Sequence, residues 1–205
     1  MSRTQLVILS LTGFILSLIS IFWLDYALAS KVLAIGQEQI DMWNIITRMG
    51  NSTWMAMLLI ALWITGFSFS KINAENPLWT AMRKKSLLVL LAVAGTGAVV
   101  MLLKVIVGRA RPYMGDIGFF PFTFGSDFAS WPSGHATTAF AFAAAAGMAI
   151  PILRWPLLLL AVLVAYSRMT LGVHYLGDVI MGATIGTVGA VLIYSWMRPK
   201  LGLKA

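Results

Sequence analysis

An all-helical bundle that crosses a membrane is the fold class this sequence predicts, and three observations predict it. Of its 205 residues, 60% are apolar and only 11% are charged. The mean hydropathy of +0.87 is one that soluble domains rarely reach. Apolar runs long enough to cross a bilayer recur along the chain, with the charges gathered between them. A chain of this length holds one such bundle and no second domain, so residues 1–205 read as a single unit. The net charge of +8 would point a soluble protein toward nucleic acid. Here the basic residues lie in the connections, where anionic headgroups and topology account for them, and no nucleic-acid partner is expected. With no cysteine in the chain, disulfides, thiolate metal sites and a cysteine nucleophile are excluded, while the redox compartment stays open.

The first run, 6–24, follows Arg3 and is broken by Asp25. At about 1.5 Å per residue it crosses a hydrocarbon core. Ala27-Leu28-Ala29 resembles a signal-peptidase site, but the apolar core is longer than that of a signal peptide, so a retained helix is expected. Segment 25–53 is too polar to span. Within it Ile40, Trp43 and Ile46 or Thr47 recur at helical spacing, which gives either a helix lying in the outer interface or a packing lid over the bundle. Further spans are expected at 54–70, 86–107, 135–150, 156–171 and 175–197, six in all. Pro151 and Pro156 bracket Arg154 and mark either a tight turn between the fourth and fifth spans or a break in one long segment. Segment 113–131 carries Tyr113, Phe119, Phe120, Phe122, Phe124, Phe128 and Trp131. They serve either as an interfacial anchor or as the lining of a lipid tail's path. Gly182, Gly186 and Gly189 place small residues along the last span, for packing inside the monomer or for a dimer, so the oligomeric state is open.

Six spans put both termini on one side. Arg3, Lys71, Arg83, Lys84, Lys85, Arg154, Arg198, Lys200 and Lys204 fall there, and the positive-inside tendency makes that side cytoplasmic. Lys31, Arg48, Arg109 and Arg111 fall on the other side, with Lys104 and Arg168 near helix ends. Three segments, 104–112, 132–135 and 167–178, concentrate Lys, Arg, His and Asp at the ends of apolar runs, and all three land on this second side. Charge at the edge of a hydrocarbon slab costs on the order of 1–3 kcal/mol or more, so such clusters read as function.

Lys104 and Arg111 are two helical turns apart, so on a helix they share a face and address one anion. Pro112 disfavours helical geometry at Arg111, which ends the helix there and leaves the guanidinium free to swing over the site. Lys104 taken alone also suits snorkelling, and Arg109 is either a third cation or a headgroup contact. In Trp131-Pro132-Ser133-Gly134-His135 a proline and a glycine precede an alanine-rich helix, whose first-turn N–H groups form an anion site. Ser133 caps the helix or binds a phosphate oxygen, Gly134 permits close backbone approach, and His135 can deliver a proton near neutral pH. In the third segment Ser167-Arg168 precedes His174 and Asp178, spaced i and i+4. On a helix beginning near His174, the Asp178 carboxylate orients the imidazole and stabilises the imidazolium formed on attack. The same spacing also occurs as a plain structural pair. Arg168 offers a two-pronged fork for phosphoryl oxygens.

Lys104-x6-Arg111-Pro112, Pro132-Ser133-Gly134-His135 and Ser167-Arg168-x5-His174-x3-Asp178 resemble the three signatures of the type 2 phosphatidic acid phosphatase (PAP2) superfamily, with no signature position departing from the pattern. The resemblance covers 104–178, roughly the C-terminal half. The six-span layout is similar to that of its bacterial membrane members, phosphatidylglycerophosphatase B and undecaprenyl-diphosphate phosphatases among them. It implies a six-helix bundle of PAP2 type. It also implies that His174 is a nucleophile forming a phosphohistidine, with Asp178 orienting it and His135 as general acid and base. Lys104, Arg111, Ser133, the Gly134 N–H and Arg168 would then cradle the phosphoryl oxygens. The family works without a metal or cofactor. One Asp and two His among several cations are a poor divalent-metal site in any case.

The expected function is thus a metal-independent lipid phosphatase in a bacterial inner membrane, its site facing outward and both termini cytoplasmic. Its substrate would be phosphatidylglycerophosphate, phosphatidic acid or undecaprenyl pyrophosphate. Lipid A dephosphorylation or phosphoryl transfer to a lipid acceptor is the second reading, and a non-catalytic lipid-binding or transport protein the third. Headgroup choice depends on outer loops that the motifs do not specify.

Overall fold

The protein is described from a computed structural model that covers residues 1–32, 37–115 and 117–203. Lys204, one of the residues behind the expected orientation, lies outside the described residues. Helix α1 (Arg3–Ile19) opens on a reciprocal cap, the Gln5 N–H donating to Ser2 Oγ at 3.2 Å and the Ser2 N–H to Gln5 Oε1 at 2.8 Å. It passes through a π-helical turn (Ser20–Leu24) into α2 (Asp25–Val32). Asp25 therefore does not break the first run. Its carboxylate is buried and partnered, so the helix continues through it. A five-residue step such as Ser20 to Asp25 carries a side chain about 140° round an α-helix. The wider π turn instead brings Asp25 back to the face already buried at Gly13, Ser17 and Ser20.

Helix α3 (Gln37–Arg48) packs against the bundle, with the Trp43 ring edge-on to Tyr166 at 5.1 Å and Thr47 buried, while Met42 and Ile45 face outward. Helix α4 (Ser52–Ile72) is capped by Asn51, whose side chain accepts from the Thr53 N–H at 2.7 Å. Helix α5 (Pro77–Val107) starts on an Asn76 cap with proline at its first position. It begins well before residue 86 because Arg83, Lys84 and Lys85, good helix formers, carry it past its apolar run. Gly108 ends it in the left-handed region at φ +59°, its N–H donating to the Lys104 carbonyl at 2.9 Å. A Cβ there would lie 1.7 Å from the Phe120 carbonyl oxygen, so only glycine fits.

Helix α6 (Gly134–Ala149) is the short central element, packed by α5, α7 and α8. Its neighbour α8 (Leu176–Lys200) approaches it through glycines: a Cβ on Gly182 would lie 2.5 Å from the Ser133 carbonyl oxygen, and one on Gly186 2.4 Å from that of Thr137. Gly189 meets Thr96 of α5 in the same way. The small-residue stripe thus packs the inside of this chain. A turn at Pro151–Leu153 reverses the chain into α7 (Arg154–Thr170), which packs back along α6, so the proline pair marks a tight turn.

Among the described residues no strand forms. Five helical stretches are long and apolar enough to cross a membrane, and α6, with 16 residues, is shorter. Phe22, Trp23, Met57, Met101, Leu102 and Leu159 face outward, a girdle suited to hydrocarbon, while alanines fill the middle. Met1, Lys85, Arg154 and Arg198 line one cavity at the end of the bundle away from the α5–α6 and α7–α8 connections.

Candidate active site

The three charged segments meet at those two connections. After Gly108 the chain leaves the helix and folds back over the bundle end. The Ala110 N–H donates to the Gly118 carbonyl at 3.0 Å, the Arg111 N–H to Asp127 O at 2.9 Å and the Ser130 N–H to Arg109 O at 3.0 Å. Lys104 and Arg111 consequently do not share a helix face, because the left-handed turn at Gly108 comes between them. Both still reach the site. Lys104 Nζ donates to the Ala129 carbonyl beside the start of α6, where a Cβ on Gly134 would be 3.8 Å from Lys104 Cε. The Arg111 guanidinium is tied down rather than free to swing: Nε donates to Ser126 O at 2.7 Å and NH1 to Val173 O at 3.3 Å.

Ser133 is the N-cap of α6, its Oγ accepting from the Ala136 N–H at 3.4 Å, and its own N–H donates to the Asp178 carbonyl at 3.0 Å. That second bond locks the α6 start onto the first turn of α8. His135, in the first turn of α6, stands among Lys104, Arg111 and Arg168 and against Gly50 of the α3–α4 turn. Arg168 leaves the last turn of α7 and donates to Thr47 Oγ1 at 2.6 Å, while its Nε is buried and has no acceptor among the described residues.

His174 precedes α8 rather than starting it, because Tyr175 is the cap residue. The pair with Asp178 survives this shift: Nδ1 lies 3.4 Å from Asp178 Oδ2, in ion-pair range but without hydrogen-bond alignment. Burial holds the imidazole far below its ordinary value, at about 3, assisted by Lys104 and Arg111 and opposed by Asp178. His174 is therefore neutral near pH 7, with Nδ1 toward Asp178 and Nε2 left for chemistry.

Asp178 is fully buried and fully partnered. Its Oδ2 accepts from Ser130 Oγ at 2.5 Å and from the Tyr175 N–H at 2.8 Å, and its Oδ1 from Arg109 NH1 at 2.6 Å. Arg109 does not face headgroups. It is 0% exposed, lies 4.1 Å from the Tyr175 ring centroid, and forks between Asp178 and Asp25, the latter at 2.8 Å. Burial opposes its charge, but the two carboxylates outweigh burial and raise its pKa. Asp25 also accepts from Ser20 Oγ at 2.6 Å and the Gly177 N–H at 3.0 Å. Trp131 is likewise no interfacial anchor, since it is buried with Nε1 donating to Ser17 Oγ at 3.1 Å.

All eight sequence-predicted residues, Lys104, Arg111, Ser133, Gly134, His135, Arg168, His174 and Asp178, thus converge on one end of the bundle. Asp25, Thr47 and Ser130 escaped the sequence reading. Asp25 carried a usable signal, a lone acid at the end of an apolar run, whereas Thr47 and Ser130 carried none. A cavity of about 540 Å³ between α4, α5 and α6 runs from Leu90 and Val93 past Val100 to Lys104, Gly134 and His135. Among the described residues no three His, Cys, Asp or Glu side chains gather as a metal site.

The pattern of the PAP2 superfamily matches residues 85–201. The chain is 33% identical over 158 residues to a lipid A 1-phosphatase of Rhizobium etli, covering 71% of this chain and 66% of that one. It is 34% identical over 155 residues to the lipid A 1-phosphatase of Rhizobium johnstonii, covering 70% and 62%. The chain therefore spans a little under two thirds of the length of these two relatives. A putative undecaprenyl-diphosphatase of Escherichia coli, YbjG, is 30% identical over 73% of this chain and 71% of its own. Among solved structures, a transmembrane PAP2-type phosphatidylglycerolphosphate phosphatase from Bacillus subtilis superposes with a TM-score of 0.71 at 25% identity, covering 95% of this chain and 96% of that one. LpxE of Aquifex aeolicus shares the fold at a TM-score of 0.63 and 23% identity, covering 84% and 95%.

Proposed function

The chain belongs to the PAP2 superfamily, and from that premise we propose that it is a metal-independent lipid phosphatase working through His174. The observation that carries this reading is the convergence of a neutral, carboxylate-backed imidazole with three cations and a helix N-terminus. In the first half-reaction His174 Nε2 attacks phosphorus, forming an N–P bond as the P–O bond to the lipid breaks. His135 gives its proton to the leaving oxygen. Asp178 meets the positive charge that develops on the imidazole. Lys104, Arg111, Arg168, the Ser133 hydroxyl and the Gly134 N–H stabilise the equatorial oxygens. In the second half-reaction water attacks phosphorus, gives a proton to His135, and the N–P electron pair returns to Nε2.

The apolar cavity reaching Lys104 and His135 from between α4, α5 and α6 suits an acyl or prenyl chain whose phosphate sits at its polar end. Phosphatidylglycerophosphate, phosphatidic acid and undecaprenyl pyrophosphate all have that form. Lipid A is a second reading, favoured by the two Rhizobium relatives. The basic end of the bundle supports a cytoplasmic placement of both termini in a bacterial inner membrane, with the site on the outer side.

Phosphate release by purified protein in detergent with excess EDTA tests the proposal against these four lipids. One or more should be hydrolysed by wild type, and His174→Ala should lose at least a thousandfold in kcat. Release by His174→Ala or His135→Ala at near wild-type rates would remove the assigned roles.

A further inference from the structure

The buried charge cluster contains one carboxylate more than the proposed chemistry uses. Asp178 and Asp25 share the two prongs of Arg109, at 2.6 and 2.8 Å, and the side chains of all three are 0% exposed. Asp25 comes from the N-terminal helical stretch, beyond the 85–201 match to the family pattern. It reaches the cluster only because the π turn at Ser20–Leu24 re-phases the helix, and Ser20 Oγ and the Gly177 N–H then fix its orientation. Single π turns inside α-helices are frequent at functional sites. Ser17 Oγ, one turn earlier, donates to the Gly177 carbonyl at 2.8 Å, so this face of α1 grips the turn that presents His174 and Asp178.

The charge balance gives this arrangement a consequence. Asp178 alone against Arg109 would form a neutral pair, with its charge committed away from His174. With Asp25 on the second prong the cluster carries a net negative charge, and Asp178 can answer the positive charge forming on His174. Lys104 and Arg111 also act on His174 and oppose that stabilisation, which makes the extra carboxylate matter more. Resting on the phosphatase reading for its catalytic part, we propose that Asp25 is a positioning residue, which occupies half of the Arg109 fork so that Asp178 stays available to orient and stabilise His174.

Asp25→Asn keeps the shape and removes the charge, and Asp25→Asn with Arg109→Gln restores the net charge of the cluster. In kinetics with dispersed phosphatidic acid, Asp25→Asn should lower kcat about tenfold with KM within twofold of wild type. The double variant should regain at least threefold of kcat over the single one, whereas a merely structural staple makes the double variant equal or worse. The chain has two histidines, so in a His135→Gln background ¹⁵N-histidine NMR at pH 7 reports His174 alone. The Nδ1–H tautomer should dominate in that background, mix with the other in Asp25→Asn and recover in the double variant. A double variant no better than Asp25→Asn, or a tautomer ratio unmoved by Asp25→Asn, overturns the proposal. Should Asp25→Asn fail to give a monodisperse protein, Arg109→Lys applies the same test. It keeps the charge but loses the fork, so kcat should fall at constant KM, and an unchanged kcat overturns the proposal. Wild type that hydrolyses none of the lipids overturns only the phosphatase reading, because the tautomer measurement needs no substrate.

Discussion

Arg168 shows how one residue's role depends on a partner far away in sequence. Its guanidinium is held by Thr47 Oγ1 at 2.6 Å, 121 positions distant. Thr47→Val removes one charge-assisted hydrogen bond of about 1.5 kcal/mol, so KM for a phosphorylated lipid should rise about tenfold with kcat less affected. A change confined to kcat would show that Arg168 does not need this tether to bind substrate. His174 predicts a pH effect on stability. Its folded pKa, about 3, lies below its ordinary 6.5. As pH falls through that window the unfolded chain takes up the proton first, so the folded state loses stability. The melting temperature of wild type should therefore drop more steeply between pH 6.5 and 4 than that of His174→Gln, and parallel curves would contradict the assignment. The convergence of the eight candidate residues was legible in the sequence because their motifs hold particular side chains at fixed spacings at the ends of apolar runs. Thr47 and Ser130 were not, because nothing local marks them, and the lone acid Asp25 carried a signal of function but none of its partner.

At the scale of the element, the ends of helices decide where the chemistry sits. Gly108 stops α5 and turns the chain so that Arg109 goes into the bundle while Arg111 reaches the site. Gly108→Ala forces a side chain into the left-handed region and against Phe120. The cost is on the order of 1–3 kcal/mol, which should appear as a clearly lower melting temperature in detergent; an unchanged value would mean the loop can re-route. Four of the six expected spans, 54–70, 135–150, 156–171 and 175–197, lie within three residues of the limits of a helix, because apolar periodicity marks them. The start of α5 does not match, because Arg83, Lys84 and Lys85 interrupt the apolar pattern and the helix begins before them, at the Asn76 cap. The helical continuation through Asp25 was missed for a related reason. A charge inside an apolar run reads as a boundary unless its buried partner is known.

At the scale of the whole molecule, the charge distribution along the bundle predicts an orientation. The chain has no cysteine, so single cysteines can be introduced without background. Phe124, 82% exposed in the loop over the site, and Lys200, at the end of α8, mark the two ends. In spheroplasts a membrane-impermeant maleimide should label Phe124→Cys directly and Lys200→Cys only after permeabilisation. The reverse pattern would place the site on the cytoplasmic side.

The sequence by itself determined the class of the fold and which charged residues gather at each end of the bundle, among them the candidates proposed for phosphate chemistry. Apolar periodicity, the cost of charge in hydrocarbon and the demands of a nucleophile and its acid are all local. Only the tertiary structure decided that Arg109 is an internal hub, that Asp25 re-enters the site from the first helix, and that Thr47 holds Arg168. Those contacts join segments distant along the chain, and the pairing of a buried charge is fixed by packing and not by spacing.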